Sequence, residues 1–286
     1  MTKFRWQLPA IAALVIVAAI VGWTLLSQRP TGERSGVQSF VPPVNVNLAL
    51  GNPSDANGNV MTNANNYLVV KPQYVLSYNN SKHIPNWVSW QLNKSWLGNV
   101  PRRNDFRPDP SLPKGWYAVA SADYNGSGYD RGHMTPSADR SRDPETNSTT
   151  FFMTNIIPQA PDNNQGVWQK LESYCRELAN VGKDLYIISG GYGEKRSIGS
   201  KVKISVPERT WKVIVVLDKA GSSAANVTAN TRVIAVDIPN EQGVREADWR
   251  TFRVSVDQLE AKTGYNFLTN VTESVQQAIE SRVDQG

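Results

Sequence analysis

One cysteine, Cys175, stands among 286 residues, which excludes an internal disulfide framework. Histidine is nearly as scarce, with His83 and His133 alone. Those numbers exclude most zinc sites, which need several thiolate or imidazole donors. A metal on this chain would have to rest on oxygen donors, which favours Mg²⁺, Ca²⁺ or Mn²⁺. Internal repeats and long low-complexity tracts are missing too, so solenoids and arrays are set aside. What the chain does hold is 40% hydrophobic residues, nine Trp and ten Tyr. That is enough apolar material to bury a core, and it argues against a disordered chain.

The formal net charge is +5, and it is unevenly spread. Residues 94–142 carry eight bases against five acids, whereas residues 143–286 are net acidic. The basicity is therefore local, centred on Arg102, Arg103, Arg107, Arg131, Arg140 and Arg142. A local basic patch fits a surface that meets phosphates.

Residues 8–26 form an uncharged run of 19 residues behind Lys3 and Arg5, long enough to span a bilayer core as a helix. Residues 1–35 are read as an export signal or an uncleaved membrane anchor, and both readings place the remainder outside the cytoplasm, anchored facing outward, periplasmic or secreted. Residues 36–64, with GNPSDANGN and NANN, have turn chemistry and are read as a linker. Residues 65–286 make one domain.

Within that domain, β-branched runs bounded by turn residues predict strands at 67–70, 73–78, 86–92, 184–191, 201–206, 210–218, 231–238 and 252–256. Val167, Leu171, Cys175 and Leu178 recur at helical spacing, with Gly182 as a stop. Asn270 to Glu273 reads as a capping pattern before a C-terminal helix, and Asp257 starts another short one. Strands outnumber helices without regular alternation. The expected class is α+β, a mainly antiparallel sheet with packed helices.

Two stretches carry chemistry. In Tyr129-Asp130-Arg131-Gly132-His133-Met134, a neutral base lies beside a fixed cation. An imidazole can take a proton from water near neutral pH, and the guanidinium can hold a phosphate. The glycine permits a tight backbone or a close approach. Alone, such a match also fits a turn with a hydrogen-bonded histidine. The second stretch runs from Met153 through Asn164 to Glu172 and Arg176. On a regular helical wheel anchored at Asn164, Glu172 and Arg176 fall at the edge of the apolar stripe, as an i, i+4 pair able to clamp each other. The Asn164 carbonyl can ligate a hard cation, and one neutral ligand suits Mg²⁺, which keeps most of its waters. Alone, Asn164 would also serve as a helix cap or loop residue, and the charged pair as an ordinary surface ion pair. His83 reads as an exposed loop residue, Cys175 as a buried thiol, and Trp87, Trp90, Trp96 and Trp116 as core.

DRGHM, TNIIPQAPDNNQGVWQKLE and YCREL together resemble the DNA/RNA non-specific endonucleases with a ββα-metal (His-Me finger) core. The closest resemblance is to the cyanobacterial secreted, sugar-non-specific type. Flanking segments follow in the same order: NWVSWQLN, FRPDPSLPKGW, GSGYDRGH and TANTRVIAVDIPN. The resemblance implies that His133 is the general base and that Asn164 directly ligates a hydrated Mg²⁺, with Mn²⁺ as a substitute. It implies that Glu172 holds the metal through water, and that Arg102, Arg131 and Arg176 bind the phosphate and stabilise its charge. Arg103 remains an alternative to Arg102, because the Pro-Arg-Arg context leaves the register open by one. Asp130 would fix the local backbone or Arg131. The implied partners are DNA and RNA, with a membrane if the N-terminal segment is uncleaved. The competing readings are a membrane-tethered nucleic-acid-binding or DNA-uptake protein without turnover, and a phosphodiesterase or phosphatase for small substrates.

Overall fold

Alternation of apolar residues along its long strands buries this chain's main sheet on both faces. In the computed structural model, which describes residues 45–286, seven strands pair antiparallel throughout. In chain order, β1 is Tyr67–Val70, β2 Val75–Asn79 and β3 Ile84–Leu92. β4 (Asp130–His133) and β5 (Ile156–Gln159) form a separate pair. β6 is Asp184–Tyr192, and β7 (Arg196–Ile198) and β8 (Ile204–Val206) make a second small hairpin. β9 (Arg209–Leu217), β10 (Arg232–Pro239) and β11 (Arg253–Val254) complete the main sheet, whose order is β1-β2-β3-β6-β9-β10-β11.

The period of two decides which side chains face which layer. Along β9, Trp211, Val213, Val215 and Leu217 point to one buried cluster, and Ile214 and Val216 to the other. The first face is covered by α3 (Val256–Thr263) and α4 (Glu273–Glu280), through Leu259 and Ile279, and by Phe267 and Leu268 of the loop that joins them. The second is covered by β5 and α2 (Gln169–Asn180), through Ile156, Ile157, Leu171, Cys175 and Ala179. A short helix, α1 (Pro144–Thr149), is capped by the Asp143 side chain accepting from the Thr146 N–H. This is the expected α+β architecture: an antiparallel sheet between helical layers.

The segment expected over 1–35, and residues 36–44 of the expected linker, lie outside the described residues. From Asn45 onward the chain packs on the sheet: Leu50 and Ala56 enter the core, and Ser89 Oγ donates to the Asn47 carbonyl at 2.5 Å. The turn chemistry of that stretch thus shapes an ordered approach to β1. Among the described residues no helix is long and apolar enough to cross a membrane. The capping pattern expected at Asn270–Glu273 resolves differently. Thr272 is the cap residue of α4, and its side chain makes no capping bond. α3 opens instead with a reciprocal cap between Ser255 and Gln258.

Candidate active site

β4, β5, a wide turn at Asn163–Trp168 and α2 make a ββα unit against the main sheet. In β4, period two puts Arg131 and His133 on one side. Gly132 lies between them and faces Ile157 of β5. A Cβ on Gly132 would fall 2.6 Å from the Gln159 Cβ and 2.2 Å from its Oε1. Close approach to that buried glutamine, with no special φ, is why glycine stands there.

The helical wheel expected through Asn164 does not apply. Gly166 breaks the path with φ −114° and ψ −108°, and regular α2 begins only at Gln169. The break has a packing cause, because a Cβ on Gly166 would lie 2.5 Å from the Arg245 Cα. The wide turn still brings Asn164 alongside α2. Arg102, Arg131, His133, Asn164, Glu172 and Arg176 all line one cavity of about 270 Å³. Arg103 is exposed and does not line it.

His133 is 7% exposed, with its ring between Phe106 (5.3 Å between centroids) and Phe151 (4.9 Å). Its Nε2 is sealed and has no hydrogen-bond partner among the described residues. Burial, and then the Arg102 charge, push its pKa down to about 3. The ring is therefore neutral throughout the physiological range. Since the unfolded value is about 6.5, protonation favours the unfolded chain. The contribution to stability is complete above that value and is lost as pH falls toward about 3. NMR titration of the ring, assigned with His83→Gln, is expected to show His133 neutral at pH 5. A midpoint near 6.5 would contradict this.

The three guanidiniums are held by different means. Arg102 Nη1 donates to Ser137 Oγ at 2.8 Å, and its charge lies 4.9 Å from the Phe151 ring centroid. Burial lowers its pKa and Glu172 opposes that shift. Arg131 Nη1 donates to Ser121 Oγ at 2.7 Å. Arg176 does not clamp Glu172 as the i, i+4 spacing suggested. It donates instead to Asp139 Oδ1 at 3.0 Å, and Asp139 Oδ2 accepts from Trp90 Nε1 at 3.0 Å. The remaining arginines of the expected basic patch work elsewhere. Arg140 is fully buried and donates to the Gln73, Gln91 and Asp139 carbonyls, while Arg107 pairs with Asp105.

Asn164 and Glu172 face the guanidiniums. Asn164 Nδ2 donates to Asp130 Oδ2 at 2.8 Å, and Gln165 Nε2 donates to the same oxygen at 2.7 Å. Asp130 thus fixes the Asn164 amide rather than Arg131. Asn164 Oδ1 accepts no bond among the described residues and is free to ligate a cation. Asn155 offers no such atom: its Oδ1 accepts from the Thr135 N–H and its Nδ2 donates to the Thr135 and Thr150 carbonyls. Burial pushes Glu172 up to about 7, against Lys212 and Arg176, which favour its charged form.

Lys212 and Asp139 are the residues that sequence reasoning missed. Lys212 is 1% exposed, 4.2 Å from the Trp168 ring centroid and 3.9 Å from Glu172 Oε1. A lone lysine inside the apolar strand TWKVIVVLD, on the side opposite Trp211 and Val213, was the available signal. Asp139 had none. Cys175 is a buried thiol, pushed up to about 12 by burial. His83, read as exposed, is half-buried, its Nδ1 3.1 Å from the Lys203 carbonyl. Trp87 and Trp90 are fully buried, whereas Trp96 and Trp116 are half-exposed.

A neutral imidazole, Arg131, Arg176 and a free amide oxygen on a ββα unit, joined by Arg102 from the segment before β4, define a nuclease of the ββα-metal type. A family model described as DNA/RNA non-specific endonuclease matches residues 52–274, and the chain belongs to that family. It is similar to a Nostoc protein named Nuclease, 55% identical over 259 residues, 87% of this chain and 93% of that one. It is also similar to mouse mitochondrial nuclease EXOG, 33% identical over 70% of this chain and 56% of that protein. Thus the chain spans little more than half the length of the EXOG relative. Among solved structures, a chain in "Crystal structure of the EndoG/EndoGI complex: Mechanism of EndoG inhibition" superposes with a TM-score of 0.66 at 25% identity. That match covers 79% of this chain and 91% of the other.

Proposed function

We propose that this endonuclease hydrolyses both DNA and RNA to 5′-phosphorylated fragments, with Mg²⁺ as its natural ion and Mn²⁺ as a substitute. The observation that carries the reading is His133: a neutral imidazole that lines a cavity shared with Arg102, Arg131 and Arg176. His133 takes a proton from water as the water oxygen attacks phosphorus. The phosphorus–O3′ bond breaks, and the departing O3′ takes a proton from solvent water, leaving a 5′-phosphate and a 3′-hydroxyl. The guanidiniums hold the non-bridging oxygens and offset the charge that grows on them. Arg176 is aimed by Asp139, and Arg102 by Ser137.

The donor set fits a hard, hydrated cation. Asn164 Oδ1 would hold it directly, and Glu172 would hold it through water. When bound, such an ion neutralises charge on the leaving 3′ oxygen as a Lewis acid. Contacts made through phosphates carry no base or sugar information, which supports action on both nucleic acids. We assign residues 1–35 to export, as signal or anchor, so that the enzyme works outside the cytoplasm.

End-group analysis tests the chemistry. Fragments from duplex DNA and folded RNA are expected to be ligatable 5′-phosphates with free 3′-hydroxyls. Fragments bearing 3′-phosphates would contradict it, and binding without turnover under any divalent ion would favour a tethered binder. Asp130 supplies a second test. Asp130→Ala frees the Asn164 amide to rotate, and a loss of about 10–100-fold in apparent Mg²⁺ affinity is expected. Rate against Mg²⁺ concentration checks this, and saturating ion should restore most of the rate. An unchanged Mg²⁺ dependence would remove Asp130 from its positioning role.

A further inference from the structure

On the sheet face opposite the cleft, α3 and α4 bring three carboxylates together. Asp257, Glu260 and Glu280 each offer an oxygen, and these oxygens all lie within 4.8 Å of one another. Asp257 is exposed and Glu260 half-buried, while Glu280 is only 5% exposed. Neither Glu280 oxygen accepts a hydrogen bond among the described residues, and Oε1 is sealed from solvent. A buried carboxylate without a partner is costly, and buried charges are normally paired or bound to metal.

No cation among the described residues answers the three. Among the described residues, none of them forms an ion pair. Lys262, on the same helix, donates to Asp237 at 2.9 Å, and Arg282, two residues beyond Glu280, donates to the Ala229 carbonyl. Glu260 Oε1 accepts from the Phe267 N–H, which positions that side chain at the start of the loop joining the two helices.

We propose that Asp257, Glu260 and Glu280 form a second divalent-cation site, of the calcium type, that clamps the C-terminal helix α4 to α3. The donors are all carboxylate oxygens, with no nitrogen or sulfur, which selects a hard cation. They come from two helices and run from buried to exposed, so waters can complete a shell of six to eight oxygens. Ca²⁺ tolerates that irregular geometry better than Mg²⁺ does. The clamp has a counterpart further on, where Asp284 pairs with Arg232 at 2.7 Å and with Arg253 at 3.3 Å. Together the two would hold the end of the chain against β10.

The site is independent of the cleft, so its test must exclude binding there. The full chain is stripped with EDTA and its Tm is measured at pH 8 with and without Ca²⁺. Wild type and Asn164→Leu are expected to gain about 5 °C each. Glu280→Gln and Asp257→Asn are expected to gain less than about 1 °C. Asp257 is exposed, so its variant guards against a folding defect in Glu280→Gln. Equal gains in all four proteins would overturn the proposal. So would no gain in wild type with Glu280→Gln at least as stable, which would assign the trio to a shared proton.

Discussion

His133→Ala is expected to lower kcat/KM on a short DNA duplex by about 10³–10⁴-fold, near the top of what a general base supplies. Among the described residues that line the cleft, the others are poor substitutes. The arginines are cations and cannot accept a proton, and the Asn164 amide is not basic. Among the described residues lining the cleft Glu172 is the one remaining base; burial pushes it up to about 7, but it lies 3.9 Å from the Lys212 ammonium and is assigned to the ion's water rather than to the attacking one. His133 carries no charge to be held by a cation: its aromatic cage and Arg102 both keep the ring neutral and so available as a base. Truncating a ring packed between Phe106 and Phe151 also leaves a void, so His133→Gln serves as the volume control. It is expected to lose as much activity as the alanine variant while melting close to wild type. Rates measured beside thermal unfolding separate the two effects. Activity within tenfold of wild type in either variant would remove His133 from the reaction.

The second large effect concerns Asn164. Asn164→Leu keeps the volume but deletes an unengaged amide oxygen of the cavity that the guanidiniums line. The expected loss is about 10³-fold, equivalent to about 4 kcal/mol of barrier, and added Mg²⁺ should not restore it. Stability should change little, because Asp130 still accepts from Gln165. Asn155→Leu should behave in the opposite way. That amide is spent on the Thr135 and Thr150 backbone, so its loss leaves buried groups unpaired and lowers the Tm. Calorimetric Mg²⁺ titration of the two variants distinguishes a ligand from a structural asparagine. Full Mg²⁺ binding by Asn164→Leu would contradict the assignment.

The strands of the main sheet were legible because they are long, β-branched and bounded by turns. β6, β9 and β10 lie within a residue or two of their expected positions. The strands at 130–133 and 156–159 were not legible. DRGH and IIPQ have no alternation of their own, and their pairing is set by tertiary contact: Met134 N–H donates to the Asn155 carbonyl, and Gly132 packs on Gln159. The residues nominated from DRGHM and the following helix do meet at one cavity. The geometry that joins them could not be read, because a wheel assumes constant pitch and Gly166 breaks it. Charge counts were the least informative feature. Arg140 and Arg131 look alike in sequence, yet one is sealed beneath Trp96 among backbone carbonyls and the other lines the cleft. Lys212 and Asp139, which set the charge balance behind Glu172 and Arg176, belong to segments with no motif, and only folding brings them to the site.

Cleavage of supercoiled plasmid and folded RNA, side by side, with Mg²⁺ or with EDTA, tests the central claim most directly. Loss of both substrates with Mg²⁺, and sparing of both by EDTA and by His133→Ala, is the predicted result. Undiminished cleavage in EDTA, or a folded enzyme that binds both substrates and cuts neither with any divalent ion, would contradict it.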